Sequence, residues 1–171
     1  DYDDAIVASR RIRAARVSGL TGNDSASFVQ FVELCPALLD AMRASALRLP
    51  DARRRIVVAD SLARAFIFEV CCEESVSDAN LVLLRLWEAE GDRPRALRAA
   101  RRRAGGYELG PLYLSSFLRE EGRLAALTGD TAGAVRAYRH YLALRPDPEL
   151  VAQPEVDQVR TALAALELKT R

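Results

Sequence analysis

The sequence predicts an all-α protein built from antiparallel helical hairpins. Apolar residues recur every three or four positions through most of the 171 residues, which is the spacing of one helix face. Strands need alternating apolar and polar residues bounded by turns, and we find no convincing example. Short breaks rich in glycine, aspartate and proline divide the chain into about eight helices, and short connections favour packing between consecutive helices.

The first two predicted helices lie in the N-terminal part of the chain. One runs from Asp3 to about Ser18 and ends in segment 19–23, which contains two glycines and an asparagine. The next begins near Ser25. Its apolar stripe comprises Phe28, Phe31, Val32 and Cys35. Pro36 lacks an amide hydrogen, so it either kinks this helix or starts a new one.

The third and fourth predicted helices carry more apolar residues. Asp51 follows Leu49-Pro50 and can cap a helix that runs to about Cys72. The segment DANLVLLRLWEAE, from Asp78 to Glu90, is apolar over most of its circumference. Helices of that kind pack against neighbours on several sides, so we expect this one to be buried.

Four further helices are predicted over residues 92–103, 111–127, 131–144 and from 153 onward. Asp92 stands where it can cap the first of them, and Pro94 falls in the first turn, where proline is tolerated. Gly105-Gly106 predicts a loop. The prolines in segment 146–148 end the helix that precedes them, because proline cannot continue it.

The charge balance gives no electrostatic reason for a nucleic-acid or membrane partner. The chain has 25 basic and 24 acidic residues and a formal net charge of +1. Arginine supplies nearly all the basic charge, since Lys169 is the only lysine, as is typical of a GC-rich genome. Arginine clusters near residues 10–16, 53–55, 93–98 and 101–103 could contact phosphates or could be solvated helix faces paired with acids. No aromatic residues interleave them for base stacking, so we do not expect a nucleic-acid partner.

Cysteine content and hydropathy indicate a reducing, cytoplasmic environment. Cys35, Cys71 and Cys72 do not form a disulfide framework, so we expect buried free thiols. No apolar run approaches the roughly 20 residues that span a bilayer, and no signal peptide precedes the first helix. The chain opens at Asp1 rather than methionine, and we expect a fragment, a processed chain or a part of something larger.

A repeat is visible in the C-terminal half. Gly91-Asp92 and Gly129-Asp130 stand 38 residues apart, and the same shift places Ala96 on Ala134 and Arg98 on Arg136. Each unit predicts a helix, a tight turn and a second helix. The glycine accepts the left-handed conformation after the first helix, and the aspartate caps the second.

The stretch from Arg119 to Pro148 resembles most of a tetratricopeptide repeat, a helix-turn-helix unit of about 34 residues. The matching residues are Gly122, Gly129, Ala134, Tyr138 and Pro146. The stretch departs from the family at Ala125, where a tyrosine is usual, and at Tyr141, where an alanine is usual. In the earlier unit Trp87 and Ala96 match, Leu84 replaces a small residue and no closing proline occurs.

The resemblance covers roughly residues 77–168 and implies a short right-handed α-solenoid of stacked hairpins. We divide the chain into residues 1–75, helical hairpins without a repeat signature, and residues 76–171, two tetratricopeptide-like units with a C-terminal capping helix. The C-terminal half also resembles the helical-repeat regions that follow kinase or cyclase domains in large bacterial signalling proteins. No kinase motif occurs in this chain.

The resemblance further implies a peptide groove lined by the first helix of each unit. Aligned on this sequence, the groove candidates are Arg85, Glu88, Arg119 and Arg123. Guanidinium groups bind carboxylates through two parallel hydrogen bonds, so an acidic or C-terminal peptide is the expected ligand. The asparagines and lysines of the family's known carboxylate clamp are missing. Alternatively, these arginines form salt bridges with Glu88, Glu120 or Glu121 within the fold.

No residue pattern predicts catalysis, a metal site or a cofactor, so we do not expect an enzyme. His140, the only histidine, is expected on a surface or in helix packing. Cys71 and Cys72 point about 100° apart on a helix and cannot easily share one ion. Glu120 and Glu121 are adjacent, face different directions and are expected to be solvated acids.

We therefore expect a protein-protein interaction or scaffolding module within a larger bacterial protein or assembly. The expected partner is another protein or a peptide, with an acidic peptide expected in the groove, and the sequence does not indicate an oligomeric state. The alternative is a structural accessory subunit docked permanently in a multi-protein complex. Exposed apolar patches would favour that alternative, and a charged, solvated groove would favour peptide binding.

Overall fold

The computed structural model describes residues 2–17, 25–65, 73–102 and 110–169. Every regular element in these ranges is an α-helix, which confirms the predicted all-α class for the described part of the chain. The helices are α1 (Tyr2–Val17), α2 (Ser25–Ala46), α3 (Ala52–Ala65), α4 (Glu73–Ala89), α5 (Arg93–Arg101), α6 (Gly110–Leu127), α7 (Thr131–Ala143) and α8 (Gln153–Lys169). None of these helices combines the length and apolar character needed to cross a membrane.

The structure decides one alternative that the sequence left open at Pro36, and it lengthens one predicted helix. Pro36 lies inside α2, so it does not start a new helix. Helix α4 already includes residues 73–77, which precede the predicted segment from Asp78 and contain only one apolar residue, Val76. The predicted end of the third helix near Cys72 and the predicted loop at Gly105-Gly106 lie outside the described residues.

The two Gly-Asp turns have the predicted conformations. Gly91 and Gly129 have φ angles of 75° and 83°, the left-handed region that glycine enters without a steric penalty. Asp92 accepts a hydrogen bond from the amide of Arg95 at 3.1 Å. Asp130 accepts one from the amide of Gly133 at 2.9 Å. Both aspartates therefore cap the helices that follow them, which confirms the capping predictions at these turns.

The helices pack in consecutive pairs. The pairs α2–α3, α4–α5 and α6–α7 share the most extensive contacts, while α1 packs on α2 and α8 packs on α7. Successive pairs meet through α3 with α4 and α5 with α6. The even-numbered helices also touch in order, α2 with α4 and α4 with α6. Each pair therefore lies beside the next pair along the chain.

Two apolar clusters form the core. The larger contains buried residues from α2 to α7, among them Ile56 of α3, Leu83 of α4 and Leu124 of α6. It draws residues from both sides of position 75, so the two predicted segments share apolar packing. The smaller cluster joins α6, α7 and α8. Its buried members are Leu118, Tyr138, Tyr141, Val156 and Val159.

Small residues allow close contact between α6 and α7. A Cβ atom built on Gly122 would lie 2.4 Å from Cδ1 and Cε1 of Tyr138, far inside van der Waals contact. Ala134 on α7 is fully buried, as is the corresponding Ala96 on α5. Glycine at 122 is therefore what lets the tyrosine ring lie against the α6 backbone.

Cys35 differs from the prediction of a buried thiol, because it is exposed on α2. Among the α2 side chains that the structure describes, the buried ones are Leu34, Ala41 and Ala44, which follow the spacing of one helix face. Cys35 adjoins Leu34 and points about 100° away from it. The core-facing stripe of this helix thus passes through Leu34 and not Cys35. Cys71 and Cys72 lie outside the described residues.

Candidate functional site

The four groove candidates from the sequence line one open groove of about 560 Å³. Helix α4 contributes Arg85 and Glu88, and α6 contributes Arg119 and Arg123. The remaining lining residues are Glu120, Tyr138, Gln158, Val159 and Ala162. The groove therefore lies between α4, α6 and α8, with the ring of a buried α7 tyrosine in its wall.

Arg123 and Glu88 form the best-aligned ion pair in the groove. Nη1 and Nη2 of Arg123 donate to Oε1 and Oε2 of Glu88 at 2.6 and 2.7 Å, which is the two-bond arrangement that guanidinium and carboxylate groups favour. One turn away, Nη2 of Arg85 donates to Oε1 of Glu120 at 2.9 Å. These two contacts join α4 to α6.

Glu155 extends the same set of contacts to α8. It accepts a hydrogen bond from Nη1 of Arg119 on α6 and another from the hydroxyl of Tyr141 on α7. We refer to Arg85, Glu88, Arg119, Glu120, Arg123 and Glu155 together as the groove network. Through it, three helices that are distant in sequence are joined by charge-assisted hydrogen bonds.

Glu120 corrects the prediction of a solvated surface acid. Its relative exposure is 4%, and its carboxylate accepts hydrogen bonds from the guanidinium groups of Arg85, Arg119 and Arg123. A buried carboxylate needs such partners, because leaving water without them is costly. The prediction failed because Arg85, which completes this set of partners, lies on another helix 35 residues away in sequence.

Glu121 is also buried, contrary to the same prediction, but it faces away from the groove. Its Oε1 accepts a hydrogen bond from Nε of Arg101 on α5 at 3.1 Å. Glu120 and Glu121 thus bind arginines of different helices, in agreement with the expectation that adjacent helical residues face different directions. They form no paired-carboxylate arrangement.

The groove network shifts the ionisation of its members. Hydrogen bonds from Arg123 lower the pKa of Glu88 below its ordinary value, against the opposing effect of burial. The same hydrogen bonds to Glu88, followed by those to Glu120, raise the pKa of Arg123. Burial raises the pKa of Tyr138. Glu88 and Arg123 are therefore charged near neutral pH, and Tyr138 is neutral.

Arg85 is the most accessible cation of the groove. Its side chain is 60% exposed, whereas the side chains of Arg119 and Arg123 are about half as exposed. The sequence left open whether these arginines line a groove or pair within the fold. In the structure they do both, and Arg85 combines an internal ion pair with open access from solvent.

The contribution of α8 was missed by the sequence analysis, which treated this helix as a solvating cap. Glu155 and Gln158 of α8 belong to the groove or its network. A regular spacing between arginines and acids could have indicated Glu155 from the sequence. Arg85 and Glu120 are 35 residues apart, and Arg119 and Glu155 are 36 residues apart. His140 is exposed on α7 and takes no part in the groove.

Comparisons of this chain with protein families, with curated proteins and with solved structures find no match.

Proposed function

We propose that this chain is a tetratricopeptide-like interaction module that binds a peptide segment of another protein in the groove between α4, α6 and α8. The observation that carries the proposal is the convergence of Arg85, Glu88, Arg119 and Arg123 on one open groove. In the same proposal the module acts in the cytoplasm, as part of a larger bacterial protein or assembly. No catalytic role is proposed.

The ion pairs support a solenoid of antiparallel hairpins. Arg85 pairs with Glu120 and Glu88 pairs with Arg123, so both partners advance along the chain together. Helices α4 and α6 therefore run in the same direction, as equivalent helices of stacked hairpins do. The contacts cross the groove at steps of 35 and 36 residues, close to the length of a tetratricopeptide unit.

The internal pairing limits which groups can bind. Arg119 and Arg123 are engaged by Glu88, Glu120 and Glu155, so a ligand would have to displace those carboxylates. Nη2 of Arg85 donates to Glu120, and most of this side chain is exposed. Its other N–H groups can therefore donate to a ligand carboxylate without breaking that pair. We therefore assign the first contact with an acidic side chain or a C-terminal carboxylate to Arg85.

The proposal is tested by selecting peptides from a random displayed library on this chain and measuring their affinity by fluorescence polarisation. We expect enriched peptides to carry a carboxylate that Arg85→Glu rejects, which weakens binding about tenfold or more. Arg54→Glu makes the same charge change at an exposed position of α3 and should leave the affinity for the peptide unchanged. Failure to enrich any peptide over an unrelated helical protein, or equal affinity of both variants, would refute the proposal.

A second candidate function, a permanently docked structural subunit, is favoured by one observation. Leu150 is 93% exposed, and Val151 beside it is nearly as exposed, in the segment between α7 and α8. Adjacent exposed aliphatic residues are typical of surfaces that a partner covers. If this candidate is right, Leu150→Asp/Val151→Asp should raise the solubility of the isolated chain without changing its unfolding midpoint.

A further inference from the structure

A second concave site lies between α3, α4 and α5. This arginine cleft has a volume of about 410 Å³. Its lining consists of Val57, Asp60, Arg64, Trp87, Arg95, Arg98, Arg101 and Arg102. None of these residues lines the groove between α4, α6 and α8, so the cleft is a separate site. Most arginines of the two clusters near residues 93–103 therefore line this cleft.

The cleft carries an excess of positive charge. Of the lining residues that the structure describes, five are arginines and only Asp60 is an acid. The carboxylates that pair with these arginines are Asp60, Asp92, Glu121 and Asp130. Asp92 is shared with a sixth arginine, Arg53. Among the described residues, six guanidinium groups are therefore paired with or placed beside four carboxylates, an excess of two positive charges around the cleft.

Several hydrogen-bond donors of the cleft have no acceptor among the described residues. The described residues provide no hydrogen-bond partner for Nε of Arg102 or for Nε1 of Trp87, although both atoms are buried. They likewise provide no ion pair for Arg98, which is exposed at the cleft. The guanidinium groups of Arg64, Arg95 and Arg101 remain partly exposed beside their acids. The cleft thus offers several donors to an incoming group that only accepts.

We infer that the arginine cleft binds a phosphate monoester dianion. A dianion compensates the excess of two charges, and its three terminal oxygens can accept from guanidinium groups on different helices. Arg98 and Arg102 approach from α5 and its end, and Arg64 approaches from α3. A carboxylate would supply half the charge and only two oxygens. Stacked nucleic-acid bases are not favoured, because Trp87 is 1% exposed.

Trp87 provides a local reporter for this site. It is the only tryptophan of the chain, and it lines the cleft. The guanidinium carbon of Arg95 lies 4.6 Å from the centre of its ring, and that of Arg53 lies 5.5 Å away. An anion that binds Arg95 changes the charge next to the indole ring. We therefore expect the fluorescence of Trp87 to change when the anion binds.

The test is a titration of the intact chain with inorganic phosphate and with a phosphoserine peptide, followed by tryptophan fluorescence at constant ionic strength. We expect a saturable change with dissociation constants of about 1 mM or below, a range that fluorescence titration resolves well. Chloride and a phosphate diester are the control anions. A stronger response to the peptide would assign the phosphate to a modified protein, and an equal response would assign it to a free phosphorylated compound.

Two variants locate the binding. Arg98→Ala removes an exposed cleft arginine that has no ion pair among the described residues, and it should weaken phosphate binding about tenfold. Arg93→Ala removes an exposed arginine of the same helix that does not line the cleft, and it should leave binding unchanged. The inference is overturned if phosphate produces no more change than chloride, if the diester binds equally well, or if both variants behave alike. This inference does not depend on peptide binding in the groove.

Discussion

Glu120 is the residue on which most ion pairs of the groove converge. Three arginines from two helices donate to one carboxylate that is almost fully buried. Removing this carboxylate leaves three guanidinium groups close together without the acid that they share. The groove therefore depends on an acid that a peptide partner would hardly touch.

Glu120→Ala should be strongly destabilising. We expect a loss of about 3 kcal/mol in the free energy of unfolding, because breaking a buried ion pair on one side leaves the partner charges uncompensated. Urea unfolding measures this loss. Glu167→Ala serves as the matched control, since Glu167 pairs with Arg139 on the surface and such pairs contribute well under about 1 kcal/mol. Equal losses in the two variants would contradict the central place of Glu120.

Glu88 makes the stability of the chain sensitive to acid. Its pKa in the folded chain is lowered by hydrogen bonds from Arg123, below an ordinary value of 4.5. A lowered pKa means that the unfolded chain binds the proton more readily. The stabilising contribution is therefore complete above about pH 4.5 and is lost as the pH falls through the lower folded-state value.

The pH dependence is measured by urea unfolding of the wild type and Glu88→Gln between neutral pH and about pH 3. We expect the wild type to be the more stable of the two near neutral pH, and the difference to shrink below about pH 4.5. A difference that stays constant over this range would show that the Glu88 carboxylate contributes through packing rather than charge.

At the scale of the secondary-structure elements, the contact of α6 with α7 depends on the absence of a side chain at position 122. The Tyr138 ring is buried and occupies the space that a Cβ atom would need. Gly122→Ala should therefore destabilise the chain by about 1–3 kcal/mol, the usual cost of overpacking, even though alanine favours helices. Thermal unfolding measures the change.

A second substitution distinguishes overpacking from a backbone effect. In the Tyr138→Leu background the ring is gone, so Gly122→Ala should be close to neutral or stabilising. The same loss with and without the ring would mean that the glycine is required for another reason.

Most elements were predictable because their signals are local. The Gly-Asp turns and the aspartates that cap α5 and α7 each involve residues a few positions apart, and the structure places them as predicted. The start of α4 was missed because its first turn has no apolar periodicity. Cys35 was misplaced because an apolar stripe can be drawn through either of two adjacent positions.

The candidate site was predictable only in part. Alignment with a tetratricopeptide unit selected Arg85, Glu88, Arg119 and Arg123, and these residues do line one groove. Their pairings could not be read from the sequence, because each arginine has several acids within reach and only the packing of α4, α6 and α8 selects among them. Burial of Glu120 follows from that choice and was missed for the same reason.

At the scale of the whole molecule, α8 packs on α7 and contributes to the smaller apolar cluster. Its Glu155 also neutralises Arg119. Truncation before Gln153 removes α8. It should therefore expose Tyr141 and deprive Arg119 of its ion pair with Glu155. We expect amide hydrogens of α6 and α7 to exchange faster in the truncated chain, while those of α3, α4 and α5 stay protected. Uniform loss of protection would instead indicate a single cooperative unit.

The groove and the arginine cleft owe their positive charge entirely to guanidinium groups, and the single lysine of the chain stands at the end of α8. Guanidinium groups keep their proton in strongly alkaline solution, where amines lose theirs. Enzymes that acetylate or ubiquitinate lysine find no target in either site. The charge of both surfaces is thus set when the chain is synthesised and cannot be adjusted afterwards by lysine modification.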